Sequence, residues 1–248
     1  MPRKSPKLIG FDNQAMGGAA MRSFDEIYAR AAERKGGPAA LEALIAEHAS
    51  RPRDALAAIG DDRWLAEMAR VVFQAGFNWR VIDNKWDGFE AAFHRFDPPL
   101  NAAMSEEEFD AHLKNARIVR NAQKIASVRA NAQFLVDLAA ENGSAAAFFA
   151  GWPDADFAGL LEVMKKRAAR CAGETAMRFF RRMGKASFIT SRDVAAALVE
   201  AGVLEGPPKN RKDLEAVQRA FNAWSEESGR DLTAISRVLA MSTGPSYP

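Results

Sequence analysis

The stretch VVFQAGFNW, Val71 to Trp79, carries a helical pattern through Gln74 into Gly76 and then sets Phe77, Asn78 and Trp79 on the exit. Aromatic side chains beside a helix end most often fill a hydrophobic gap. The chemical alternative is a pocket for a flat ring, with the Trp79 indole as its stacking surface. Phe73 and Phe77 line such a pocket or pack in the core, and packing is the expectation for both. Metal chemistry finds little support: His48, His94 and His112 are scattered without paired spacing, and the single Cys171 supplies neither a set of sulfur ligands nor a disulfide. No metal and no cofactor are expected, and one unpaired cysteine fits a reducing cytoplasm, the expected location.

A net charge of +2 says little about partners, but the charges are segregated along the chain. Asp83 to Asp110 holds eight acids and two bases, Lys114 to Arg129 five bases and no acid, and Leu161 to Arg192 nine bases against two acids. One basic run alone is usually a solvated helix face. Two runs following a pocket candidate weaken that explanation.

The elements that position these residues are expected to be helical. Ala and Leu abound, capping boxes stand at Ser23 to Glu26 and Ser105 to Glu108, and no alternating β-branched run reaches six residues. The pattern predicts helices near 23–35, 38–48, 52–58, 61–75, 86–94, 105–113, 117–141, 144–150, 156–167, 173–183, 191–201, 210–228 and 231–240, broken at Gly36-Gly37-Pro38, Asp97-Pro98-Pro99, Asn142-Gly143 and Gly206-Pro207-Pro208. With 248 residues, 48% of them hydrophobic and 27% charged, the chain suits a soluble all-α domain over 21–242, in two helical lobes around a cleft. A flexible leader is expected over 1–20 and a flexible tail over 243–248. No apolar run nears the roughly 18 residues of a membrane span, and Met1 to Ala20 lacks the apolar core of a signal peptide. A monomer with no membrane contact is expected.

Three segments carry a resemblance: QAG-x-x-W at Gln74 to Trp79, AFHRFDP at Ala92 to Pro98, and RIVRNAQKIASVRANA at Arg117 to Ala132. In that order and spacing they resemble the 3-methyladenine DNA glycosylase I family, and a weaker similarity continues through Arg178 to Leu204. The resemblance implies a helix-hairpin-helix DNA repair fold that grips duplex DNA carrying alkylated bases, extrudes one damaged nucleotide and excises 3-methyladenine, leaving an abasic site. It implies base-binding roles for Trp79, Gln74 and Phe77. In MRFFRRMGKASFITSRDVAAALVEAG, Gly184 suits a left-handed cap and Ser191 an N-cap, so backbone N–H groups there, with Lys185 and Arg192, are expected to hold a phosphate. Arg181, Arg182, Arg120 and Lys124 are the further DNA-binding candidates. An ordinary helix-turn-helix packing unit is the plainer alternative for this segment.

The chain departs from the family in several places. Val71 stands where the family has its base-reading glutamate, and Glu67, one turn earlier on the same face, is the expected substitute. The Cys and His residues that hold the family's zinc have no counterparts. The family's N-terminal aromatic signature is missing, with Tyr28 the nearest replacement. Thr190 occupies the second hairpin glycine, and Glu205 lies only near the superfamily's catalytic aspartate. A 3-methylated adenine nucleotide is cationic and its glycosidic bond labile, so little nucleophilic machinery is needed. Two other readings stay open: a catalytically silent DNA-binding protein, and an all-α module that docks an acidic protein.

Overall fold

Side chains at the helix starts set most of the boundaries in the computed structural model, which describes residues 21–244. The expected leader, 1–20, and residues 245–248 of the expected tail lie outside that range. Among the described residues every regular element is helical. In α1 (Phe24–Arg34) the Ser23 and Glu26 side chains satisfy each other's backbone N–H groups, as the capping box predicts. There follow α2 (Pro38–Ala46), α3 (Arg53–Ala57), α4 (Asp61–Gln74), α5 (Trp79–Asn84), α6 (Trp86–Ala92), α7 (Pro98–Ala102), α8 (Glu106–Lys114) and α9 (Ala122–Asn142). The chain continues through α10 (Ala145–Gly151), α11 (Phe157–Arg167), α12 (Glu174–Met183), α13 (Arg192–Glu200), α14 (Arg211–Ser228) and α15 (Leu232–Ser242).

The differences from expectation have local causes. At α8 only half of the box forms: the Ser105 hydroxyl accepts from the Glu108 N–H, while the Glu108 carboxylate turns to His94 Nε2 at 2.6 Å. α9 begins at Ala122 rather than near 117, because Asn121 Oδ1 accepts from the Lys124 N–H and fixes the start there. Residues 116–118 instead cross α6 so closely that a Cβ on Gly88 would stand 2.3 Å from the Arg117 carbonyl oxygen. α5 and α7 escape the pattern, being too short to show a period. In α7, Pro98 reads as a break, yet proline is compatible with a first helical turn, and Asp97 Oδ1 caps it by accepting from the Leu100 N–H. Thr243, expected in the tail, donates its hydroxyl to the Asp193 carbonyl, 2.8 Å away.

α4 and α9 pack together at the centre of one lobe, with α10 and α7 against them, while α1, α2, α13, α14 and α15 gather in the other. α12 packs on α4 and joins the two through the chain that follows it. Buried Trp64 of α4 meets Phe149 of α10 and Phe179 of α12 at ring separations of 4.9 and 5.7 Å. His94, Arg95 and Phe96 all take positive φ, between 49° and 61°. Such a run of non-glycine residues is strained. It is held where Arg63 donates to the Arg95 carbonyl (2.6 Å) and Asn101 to the Phe93 carbonyl (2.7 Å), and it stacks Phe96 on Trp86 at 5.2 Å.

Candidate functional site

The end of α4, the turn into α5 and the facing side of α12 enclose a cleft of about 670 Å³. Val71, Gln74, Phe77, Trp79 and Asp83 form one wall, and Glu174, Arg178, Arg181 and Arg182 the other. Phe73 is fully buried, as expected, but Phe77 is 48% and Trp79 65% exposed, so neither of these rings is packing. The backbone holds them there by design of the turn. Gly76 takes φ 67°, and the Asn78 side chain caps α5 by accepting from the Arg80 N–H. Lys124, 8% exposed, donates its ammonium to the carbonyls of Phe73 (3.0 Å) and Ala75 (2.8 Å). It satisfies acceptors that a helix end leaves without partners. Burial, with repulsion from Arg170, lowers the Lys124 pKa. This lysine therefore positions the wall from behind rather than offering a surface charge.

A polar chain runs along the floor. Arg182 Nη1 donates to Gln74 Oε1 (2.6 Å), and Gln74 Nε2 donates to Asp83 Oδ1 (3.1 Å). Arg182 Nε also lies 2.6 Å from Glu67 Oε1, but its N–H is not aligned on that oxygen, so the contact is charge against charge and leaves the oxygen without a hydrogen bond. Glu67 opens onto a separate recess of about 330 Å³, with Arg70 and Trp86, and Arg182 stands between that recess and the Trp79 cleft. Burial raises the Glu67 pKa, against the attraction of Arg182 and Arg70. As placed here, Glu67 does not line the cleft.

The hairpin between α12 and α13 is bound inward. Lys185 is 2% exposed and donates to the Trp152 carbonyl (2.8 Å) and to Asp154 Oδ1 (2.9 Å). Arg181 donates to the Ser187 carbonyl (2.6 Å) and hydroxyl (3.2 Å), and burial with repulsion from Arg237 pushes its pKa down to about 10. The loop amides of Ser187 and Ile189 donate to the hydroxyls of Thr233 and Ser236 on α15. Gly184 is left-handed as expected, φ 91°, and Ser191 caps α13. A Cβ on Gly184 would stand 2.6 Å from Arg51 Cγ. Of the six cations expected on DNA, Arg120 and Arg192 are exposed and make no ion pair with a described residue. Lys124, Lys185 and Arg181 serve the fold, and Arg182 is divided between Glu67 and Gln74.

Tyr28 lies elsewhere, its hydroxyl donating to Glu42 (2.6 Å) and its ring beside Arg230. Sequence reasoning did not single out Asp83, and it counted Arg178 and Arg170 only as members of the basic run. Asp83 sits one turn after Trp79 on a helix too short to be predicted. Arg170 takes φ 57° and reaches Gln123, where the buried Asn131 side chain bonds both the N–H and the carbonyl of Ala169. No pattern in the sequence marks that strain. Among the described residues no three His, Cys, Asp or Glu side chains gather as metal ligands do, and no helix is long and apolar enough to cross a membrane.

The profile of the methyladenine glycosylase family matches residues 57–196, a range that contains both walls of the cleft. Over 60 residues the chain is 38% identical to DNA-3-methyladenine glycosylase 1 of Escherichia coli (strain K12), and over a stretch of the same length 33% identical to DNA-3-methyladenine glycosylase of Haemophilus influenzae. Each alignment covers 24% of this chain and 32% of the relative, about a third of that protein's length. A crystal structure of 3-methyladenine DNA glycosylase I is similar over 50% of this chain and 79% of that one, with 26% identity and a TM-score of 0.43.

Proposed function

The chain belongs to the methyladenine glycosylase family, and from that premise we propose that it is a monofunctional DNA glycosylase that flips an alkylated purine, 3-methyladenine, out of duplex DNA and releases it as the first step of base excision repair. One observation carries the reading: a large indole, Trp79, stands 65% exposed on the wall of a cleft with ample room for a flipped nucleotide. Leaving that much apolar surface in water is unfavourable unless something covers it. A flipped base is a fitting cover. Extrusion costs a few kcal/mol, and stacking on an aromatic ring returns roughly 1–3 kcal/mol per base. Because the base is cationic in the nucleotide and departs neutral, taking the bonding pair and leaving the positive charge on the sugar, the bond is already labile and the enzyme needs to hold the nucleotide more than to attack it.

Phe77 offers a second apolar surface beside Trp79, and the exposed cations Arg120, Arg170, Arg178 and Arg192 suit the phosphates of the duplex. The protein would work as a monomer in the cytoplasm. The reading of a silent DNA-binding protein draws on Val71, an apolar side chain on the cleft wall where the family has a base-reading acid. The test is release of free base from methylated duplex DNA by the purified protein, identified by mass. The expected product is 3-methyladenine with a matching number of abasic sites. Salt-sensitive binding without release would establish the silent reading instead.

A further inference from the structure

Replacing the family's acid by Val71 leaves the question of which group in this chain senses the charge of the base. Two carboxylates line the cleft, Asp83 and Glu174. Glu174 already has a cation as partner, since its Oε1 accepts from both Nε and Nη2 of Arg178 in an ion pair at 2.5 Å. Asp83 is differently placed. It follows Trp79 by four residues on α5, so the carboxylate and the indole share one face of that helix. Its Oδ1 accepts from Gln74 Nε2 (3.1 Å), and Arg70 Nε stands at 3.8 Å, too far for a hydrogen bond. Oδ2 accepts from no described residue. The orientation of Gln74 is itself settled, because its Oε1 takes the Arg182 donor and its amide N–H must then face Asp83.

We propose that Asp83 is the specificity-determining carboxylate of this cleft, with Oδ2 accepting from the exocyclic amino group of a cationic adenine stacked on Trp79 while Gln74 steadies Oδ1. The acid lost from α4 at Val71 is thus supplied from α5, on the same wall of the cleft. The assignment rests on the glycosylase reading, and the experiment separates the two. Single-turnover release of 3-methyladenine from methylated duplex is measured for the wild type, Asp83→Asn, Asp83→Asn with Val71→Glu, and Gln74→Leu. In parallel, the affinity of each for a duplex bearing a tetrahydrofuran abasic analogue is determined.

Asp83→Asn should release base at least about tenfold more slowly, the effect of losing a hydrogen bond to a charged acceptor, with abasic-site affinity within about twofold of wild type. Val71→Glu should restore a part of that loss, because it returns a carboxylate to the wall. Wild-type release by Asp83→Asn overturns the assignment. So does a loss that Val71→Glu leaves unrepaired and Gln74→Leu reproduces in full, since Asp83 would then matter only as a partner of Gln74. No release by the wild-type protein would instead remove the glycosylase reading itself, and the assignment with it.

Discussion

The two walls of the cleft invert the usual relation between residue type and exposure. On the α4–α5 wall the large aromatics Phe77 and Trp79 face water. On the α12 wall and its hairpin, the cations Lys185 and Arg181 face inward and bond to backbone carbonyls. Both arrangements cost free energy, one by wetting apolar surface and the other by drying charge. The costs differ in what offsets them. Inside the hairpin, hydrogen bonds within the protein offset the burial, so the arrangement is complete without a partner. The described residues leave Trp79 65% exposed, so on the proposed reading the first wall is the one that takes a ligand.

The largest effect should come from the hairpin side. Lys185→Ala leaves the Trp152 carbonyl without its donor and Asp154 without its partner. The expected cost is about 2–3 kcal/mol, a fall in melting temperature of roughly 5–10 °C in a protein of this size. Affinity for DNA per folded molecule should be unchanged. An unaltered melting curve together with collapsed DNA affinity would break the comparison outright.

Trp79→Ala makes the opposite prediction. With the indole mostly in water, its removal should change stability by no more than about 0.5 kcal/mol, while base stacking worth roughly 1–3 kcal/mol is lost. Release of 3-methyladenine should drop roughly fivefold or more at an unchanged melting temperature. If the variant unfolds instead, Trp79 is structural and the contrast between the walls disappears.

Among the cations, exposure rather than membership of a basic run should decide the outcome. Arg120→Glu and Arg192→Glu should each weaken binding uniformly across sequences and reduce the slope of log affinity against log salt by about one. Arg181→Glu should instead lower the melting temperature, because its guanidinium is committed to Ser187. Equal salt slopes for all three would show that the inward and outward arginines are not functionally distinct.

The all-helical fold was legible because its signals are local: Ser23, Ser105 and Ser191 stand as caps at helix starts, and Gly184 ends α12 in the left-handed region that glycine favours. Trp79 was legible through its neighbours in QAG-x-x-W. Which cations face solvent was not, because a basic run records charge and not direction. Lys124 and Lys185 differ from Arg192 only in what the folded chain brings to their tips, a helix end in one case and the 152–154 turn in the other. Asp83 was hidden for another reason, since its kinship with Trp79 depends on α5, six residues long. Tyr28 was sought near the cleft on an alignment too weak to place it, and it belongs to the α1–α2 lobe.

The seam between the two walls gives the smallest and most discriminating effect. Burial raises the Glu67 carboxyl above its ordinary value, repulsion from Asp83 adds to the rise, and attraction to Arg182 and Arg70 does not cancel it. A native state that holds this proton more tightly than the unfolded chain is favoured at low pH. That advantage is complete below the ordinary carboxylate value of 4.5 and lost as pH rises through the raised one. Ionised, Glu67 beside Arg182 is therefore less favourable to the fold than in its neutral form. Glu67→Gln keeps the shape of the side chain and removes that charge. The variant should melt at or above the wild-type temperature at pH 7, the difference closing below pH 4.5. Release of 3-methyladenine should change by less than about threefold, well under the 1.4 kcal/mol that a tenfold effect represents, because Arg182 stands between Glu67 and the cleft. If release instead collapses while the melting temperature holds, Arg182 must swing aside when DNA binds, and the acid that reads the base is Glu67, acting from behind the hairpin wall.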